Sequence, residues 1–472
     1  MNSILPHAAE AQTGLTIVQV ADINPGTADG FPGGRTGGAF CVYNDALYFH
    51  ADDGSSGSEL FRYDGASIEL VADLNPGTDL LGRAQDSNPR GFTVFNGELL
   101  FRADDGIHGR ELFKYDGQRI SLLSDINPLV TESGSARGSY PTAFTPLRDM
   151  LLFKADDGSH RMEIFVYTGS EVLLLADLFP GRKGSRARDF TVFRNNVLFS
   201  AANGFSGRQL FSFDGSKIAY LTDTVPSEST YELPHLSEPN FTVFDHNLYF
   251  RARDEDHGTE LFAYTGAEIR LMADINPGLD DAGQPGNSDP TDFAVYKDAL
   301  YFSADDGTHG QELHSFDGQV GTLVKDIWPT FQANEKGHSY PSALTVFGDL
   351  LVFSADDGIH GEELFTFDGD EIRLIQDIFT GTDRFGRPNG SSPRGFAEIG
   401  DYLVFTAEDS DAGGKVYMFD GATVQLVSGT GNSQTSPGHI VSSYRFVPFK
   451  NSLYFSAEDA QHGQELWQIT MN

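Results

Sequence analysis

One acidic, glycine-punctuated phrase recurs along the chain, and its period limits what the chain can fold into. Residues 104–113 read DDGIHGRELF, residues 305–313 read DDGTHGQEL and residues 356–365 read DDGIHGEELF. Aligned on the first acidic position, the copies fall at 52, 104, 156, 202, 253, 305, 356, 408 and 458, nine in all, with steps of 46 to 52 residues. A period of this length marks a repeat architecture, in which one supersecondary unit cannot bury its apolar surface alone and must stack on its neighbours. Several copies are degraded, such as AANGFSGRQLF, RARDEDHGTELF and AEDSDAGGKVY.

Residues 92–126, FTVFNGELLFRADDGIHGRELFKYDGQRISLLSDI, contain one whole unit. Short β-type runs are separated by NG, DDGIHGR and DG; NG and DG are strong hairpin signals. Four antiparallel strands followed by a long polar connection form a β-propeller blade. Leu99, Phe101 and Ala103 fall on one face of the second strand. Leu100 falls on the other, where further copies carry Tyr48, Tyr249, Val352 and Tyr454. Both faces are apolar, so each blade must be covered on both sides. The chain opens with GLTIVQVADINPG, a fourth strand without the first three, and ends with SLYFSAEDAQHGQELWQIT, which lacks a fourth. Joining these orphans closes the ring and hides its edges. The expected fold is all-β: a single closed propeller of four-stranded antiparallel blades over residues 14–470, after an N-terminal tail at 1–13. Nine blades are expected, with eight and one decorative copy as the alternative.

The phrases ELF-x-[YF]-DG (Glu59–Gly65, Glu111–Gly117, Glu363–Gly369), D-[IL]-NPG (Asp22–Gly26, Asp73–Gly77, Asp274–Gly278) and the one Trp-bearing copy, ELWQIT, resemble a bacterial repeat family named for its ELWxxDGT signature. The likeness runs over nearly the whole chain, but the Thr after DG is absent, so the chain looks like a divergent member. The resemblance implies a propeller of secreted or surface proteins and implies no particular chemistry.

Formal charge is −36, from 32 Lys+Arg against 68 Asp+Glu. Such a surface repels nucleic acid and anionic lipid, and no 18-residue apolar run provides for membrane insertion. The one cysteine, Cys41, forms no intrachain disulfide and reads as a small buried hydrophobe. The first residues lack a basic segment followed by an apolar one. The protein is therefore cytoplasmic, or has lost its leader, or leaves by another route; the resemblance favours an extracellular or cell-surface location.

Two readings fit the DDG turns. Hard carboxylate oxygens suit calcium, with Asp52, Asp53, Asp104, Asp105, Glu111, Asp305, Asp306, Glu312, Asp356 and Asp357 as ligands. Alternatively, the aspartates cap backbone N–H groups in a turn each blade needs. The spacing is not that of an EF-hand loop. His108, His160, His257, His309, His360 and His462 each belong to a different blade, too far apart to share one metal, and read as turn-packing residues. No HExxH, phosphate-binding loop, G-x-S-x-G elbow or paired-cysteine motif is present, so no catalytic residue is named.

The long crossings between blades vary, and variable loops on a repeated scaffold carry specificity. They end near S-x-P, beside the channel mouth. There the chain presents Arg90, Tyr140, Arg186, Arg188, Tyr340, Arg394 and Tyr444. Aromatic rings and guanidinium groups around a concave mouth suit a sugar ring or an acidic glycan group. The preferred expectation is a non-enzymatic binding or adhesion propeller taking a glycan or protein surface, with calcium assisting. The alternatives are a propeller hydrolase of glycosidase or lactonase type with a cation at the mouth, and a structural scaffold subunit.

Overall fold

The computed structural model describes residues 14–26, 28–30, 40–181, 184–204, 208–221, 241–280, 282–329, 336–410, 414–427, 445–458 and 462–472. Their strands form nine four-stranded antiparallel sheets, the blades of a β-propeller. No helix occurs among these residues, and so none is long and apolar enough to cross a membrane. Blades 1 to 8 comprise residues 40–72, 90–124, 142–176, 188–220, 242–273, 291–325, 342–376 and 394–426. In blade 9 the strand Leu15–Ala21 pairs antiparallel with Glu465–Met471, Leu15 lying opposite Met471. The first strand of the chain thus completes the last blade, and eight blades is excluded.

Blade 2 shows why these residues form these elements. Its strands a to d are Arg90–Phe95, Glu98–Asp104, Arg110–Tyr115 and Ile120–Ser124. Asn96 and Gly97 turn strand a into strand b with φ of 50° and 77°, the left-handed pair of a tight hairpin. Strand a is bulged between Arg90 and Thr93, where Gly91 has φ 68°. Ala143, Asp189, Asp292, Ala343 and Gly395 bend the equivalent strands in the same left-handed way.

The core is a set of nine clusters that each join consecutive blades. Leu99, Phe101 and Ala103 of blade 2 pack with Tyr48 and Leu60 of blade 1, while Leu100 and Leu112 pack with Leu151, Phe153 and Ala155 of blade 3. The pattern continues to Tyr454 and Leu466 of blade 9 against Leu47, Phe49 and Ala51 of blade 1, which closes the ring. Aromatic ladders cross each blade: Phe101 lies 5.7 Å from Phe92 and 6.3 Å from Phe113. Burying one such side chain contributes about 1.5–3 kcal/mol.

Candidate functional site: the channel mouth

The crossings and the turns between strands b and c meet at one end of the ring, and a buried glutamate fastens them. Glu111, at 0% exposure, accepts N–H bonds from Ile126 at 3.0 Å, Asn127 at 3.2 Å and Ser139 at 2.9 Å, and the Ser139 hydroxyl at 2.5 Å. The Ser139 carbonyl in turn accepts the Asp156 N–H of the next blade at 2.8 Å. Glu59 with Ser87, Glu260 with Ser288, Glu312 with Ser339 and Glu363 with Ser391 repeat the arrangement. Burial pushes Glu59, Glu111, Glu260, Glu312 and Glu465 up to about 7 against the hydrogen bonds that pull them down. Blade 4 has buried Gln209 at this position. Blade 8 has Lys415, whose ammonium turns to Asp409 at 2.8 Å.

The DDG aspartates are engaged within their own turns. Asp52, Asp104, Asp305 and Asp356 accept the N–H of Gly54, Gly106, Gly307 and Gly358 at 2.7–2.9 Å. The second aspartate accepts two further N–H groups, as Asp105 does from Ile107 and His108 and Asp53 from Ser55 and Ser56. Asp105, Asp306 and Asp357 also meet Nδ1 of His108, His309 and His360 at 2.7–2.8 Å. That contact draws these histidines above their ordinary value. Glu111 and Glu312 face a different set of donors, those of the crossing. Among the described residues, no group of three or more His, Cys, Asp or Glu could hold a metal ion.

The mouth itself is built from the residue after each crossing serine and from the start of strand a. Tyr140, Arg186 and Tyr340 occupy equivalent left-handed positions with φ of 51°, 49° and 45°. Tyr140 lies under the Arg110 guanidinium at 5.6 Å, and Tyr340 stacks on His338 at 5.3 Å. The Arg186 carbonyl accepts Nη1 of Arg208 at 2.9 Å. Arg90, Arg188 and Arg394 begin strand a of blades 2, 4 and 8. Arg188 approaches Asp189 at 3.9 Å, and Arg394 pairs with Glu408 at 3.3 Å. Tyr444 lies outside the described residues. The repeat distributes these residues around the ring and does not gather them at one point.

A cleft of about 420 Å³ opens between blades 5, 6 and 7, lined by Arg251, Asp289, Thr291, Asp292, Ser303, Gln311, Tyr340, Pro341 and Ser342. Arg251 is 8% exposed; its Nη1 approaches Asp289 at 3.5 Å, and its Nη2 is buried without a hydrogen-bond partner. Burial raises Asp289 against the opposing pull of Arg251. It also raises Asp292, which accepts the Ala343 N–H of blade 7 at 2.9 Å. Gln311 donates to the Asp289 carbonyl at 3.2 Å and its own carbonyl accepts the Tyr340 N–H at 3.1 Å. The Tyr340 ring stays 62% exposed. Of these, sequence reasoning named only Tyr340. The missed signal is the third residue of the YFRAR and YFSAD runs, Arg251 and Ser303: strand alternation places it on the face away from Phe250 and Ala252 or Phe302 and Ala304.

These features define a nine-bladed β-propeller with a polar, aromatic-edged mouth. No family model and no curated protein matches the chain. Solved structures similar to it include a prolyl endopeptidase, at 11% identity over 82% of this chain with a TM-score of 0.39. The chain spans about half (48%) of that protein's length. The propeller domain of the trilobed protease from Pyrococcus furiosus matches at 12% identity over 72% of this chain and 98% of its own, TM-score 0.31. The GH74 xyloglucanase from Xanthomonas campestris matches at 10% over 93% and 83%, TM-score 0.28. These likenesses concern the fold.

Proposed function

We propose that the protein is a binding propeller that takes a glycan in the cleft between blades 5, 6 and 7. The observation that carries this reading is the exposed Tyr340 ring beside buried Arg251, its half-exposed partner Asp289, and Asp292. A sugar offers an apolar ring face and a fan of hydroxyls. An aromatic platform takes the first, and charged donors and acceptors take the second. The cleft volume of about 420 Å³ falls in the usual range of ligand pockets. A glycan array probed with labelled protein tests the reading. Wild-type protein should bind a defined set saturably, and Tyr340→Ala should weaken that binding at least tenfold with its melting temperature unchanged. Equal binding by the variant, or no glycan bound at all, overturns it.

A hydrolase is the second reading, favoured by Asp289 and Asp292, whose carboxyl groups desolvation in the cleft raises from their ordinary values, the direction a general acid requires. It calls for turnover of chromogenic glycosides that disappears in Asp292→Asn. A binding propeller gives no turnover in either protein.

A further inference from the structure

Blade 2 carries three arginines on one face of its first three strands, and in this it departs from the blades around it. Arg90 lies directly opposite Arg102 across strands a and b. Arg102 lies opposite Leu112, and Arg110 precedes Leu112 by two residues, so all three share a face. The three corresponding positions are Thr142, Lys154 and Met162 in blade 3, Thr291, Ser303 and Gln311 in blade 6, and Ser342, Ser354 and Glu362 in blade 7. Like charges set directly opposite one another across strands destabilise the pairing.

Among the described residues no carboxylate forms an ion pair with this set. Among the described residues Arg102 has no hydrogen bond or ion pair, and Nε of Arg90 is buried without a hydrogen-bond partner. Asp104 lies in register with Arg110, but its carboxylate accepts the Gly106 N–H at 2.9 Å. The Tyr140 ring, 45% exposed, closes one side against Arg110. Burial, and then the charges of Arg90 and Arg110, hold Arg102 below its ordinary value against a smaller opposing pull from Tyr140. In blade 4 the comparable Arg208 is satisfied internally by Arg186 and Ser200, so the scaffold can absorb an arginine here. In blade 2 it does not.

We propose that Arg90, Arg102 and Arg110 form an oxyanion-binding site at the mouth of blade 2, separate from the cleft at blades 5 to 7. Guanidinium forks match the planar or tetrahedral oxygens of a carboxylate, sulfate or phosphate group. The ligand is an anion whose charge replaces the missing carboxylate, drawn to a cationic spot on a chain of net charge −36.

Calorimetric titration of the full chain with sodium sulfate, sodium phosphate and sodium glucuronate, against sodium chloride at matched ionic strength, tests this and separates the three sources. At least one should bind saturably, and Arg102→Ser, which copies blades 6 and 7, should weaken it tenfold or more. Ligand-free Arg102→Ser should melt at the same temperature as wild type or slightly higher, because a like-charge contact is removed. Equal affinity in the two proteins, no oxyanion binding beyond chloride, or a clear fall in the melting temperature of the variant overturns the proposal. Sulfate and phosphate carry no sugar ring, and Arg102→Ser and Tyr340→Ala mark the two sites separately for glucuronate, so this site and the glycan cleft can fail independently.

Discussion

The buried glutamates and the mouth residues lie within a few positions of one another in each blade, yet they treat the repeat differently. Glu59, Glu111, Glu163, Glu260, Glu312, Glu363 and Glu465 all sit at 0% exposure and bond to the crossing that follows. One residue earlier in strand c, the same position reads Ser58, Arg110, Met162, Thr259, Gln311, Glu362 and Gln464. A side chain that holds a crossing to its blade is needed wherever there is a crossing. A side chain facing the mouth has no such duty and is free to differ. Identity around the ring therefore marks architecture, and departure from it marks candidate sites.

The largest expected effect comes from breaking the repeated part. Glu111→Ala leaves the N–H groups of Ile126, Asn127 and Ser139 without their acceptor. Each buried orphan costs about 1–3 kcal/mol, so denaturant unfolding should show a loss of about 3–5 kcal/mol, reduced by whatever water enters. Glu111→Gln should cost about half as much, since blade 4 folds with Gln209 in this place. A loss below about 1 kcal/mol for the alanine variant would show that the crossings hold themselves.

Acidity sharpens the same comparison. The glutamates near 7 in the folded protein titrate at about 4.3 when unfolded. Between those values the folded state holds more protons, so stability is present at the acid end and is lost as pH rises through 7. The serine hydroxyl explains how the acid form is tolerated: Ser288 and Ser339 also lie 3.2 Å from the carbonyls of Thr259 and Gln311, so each can receive a glutamic proton while donating onward. His108, His160, His257, His309 and His360 are raised as well, and their contribution is also lost as pH rises through the folded value. Buried His50, lowered to about 4, and His314, also lowered, act in the opposite sense. They are outnumbered. The melting temperature should rise by several degrees from pH 8 to pH 5.5, then fall below pH 4 as the depressed turn aspartates protonate. Glu111→Gln should flatten the rise. A flat profile in wild type would mean that the glutamates stay ionised throughout.

Variation at the mouth gives the intermediate effects, tenfold or more in binding for Tyr340→Ala and Arg102→Ser, with little change in stability. How far these residues were legible follows from the chemistry each uses. The blade, its turns and the ring closure could be read because alternation and the NG and DG pairs are local signals. The glutamate–serine fastening was written in the sequence as a recurring offset, 28 residues from Glu59 to Ser87 and from Glu111 to Ser139. It went unread because a charged residue in strand c suggests an ion ligand before it suggests a buried acceptor. Tyr140 and Tyr340 were named from their place beside the proline. Arg102, Arg110, Arg251, Asp289 and Asp292 were not, because each gains meaning only from its partner across the strand or across the crossing.

The smallest expected effect concerns the acidic DDG turns. Calcium takes six to eight oxygens, and a turn could offer it the carboxylates of Asp104 and Asp105. One oxygen of Asp104 is held by Gly106 N–H, and both oxygens of Asp105 are used, by two N–H groups and by His108. Glu111 is committed to the crossing. An ion would have to displace the histidine and recruit water for most of its shell. Millimolar calcium added to EDTA-treated protein should therefore shift the melting temperature by less than about a degree, and magnesium should do the same. A shift of several degrees with calcium alone, lost in Asp105→Asn, would make the turns ion sites and reverse this reading. It would also blur the line between what repeats for the fold and what repeats for a ligand, since the same phrase would then serve both in each blade that carries it.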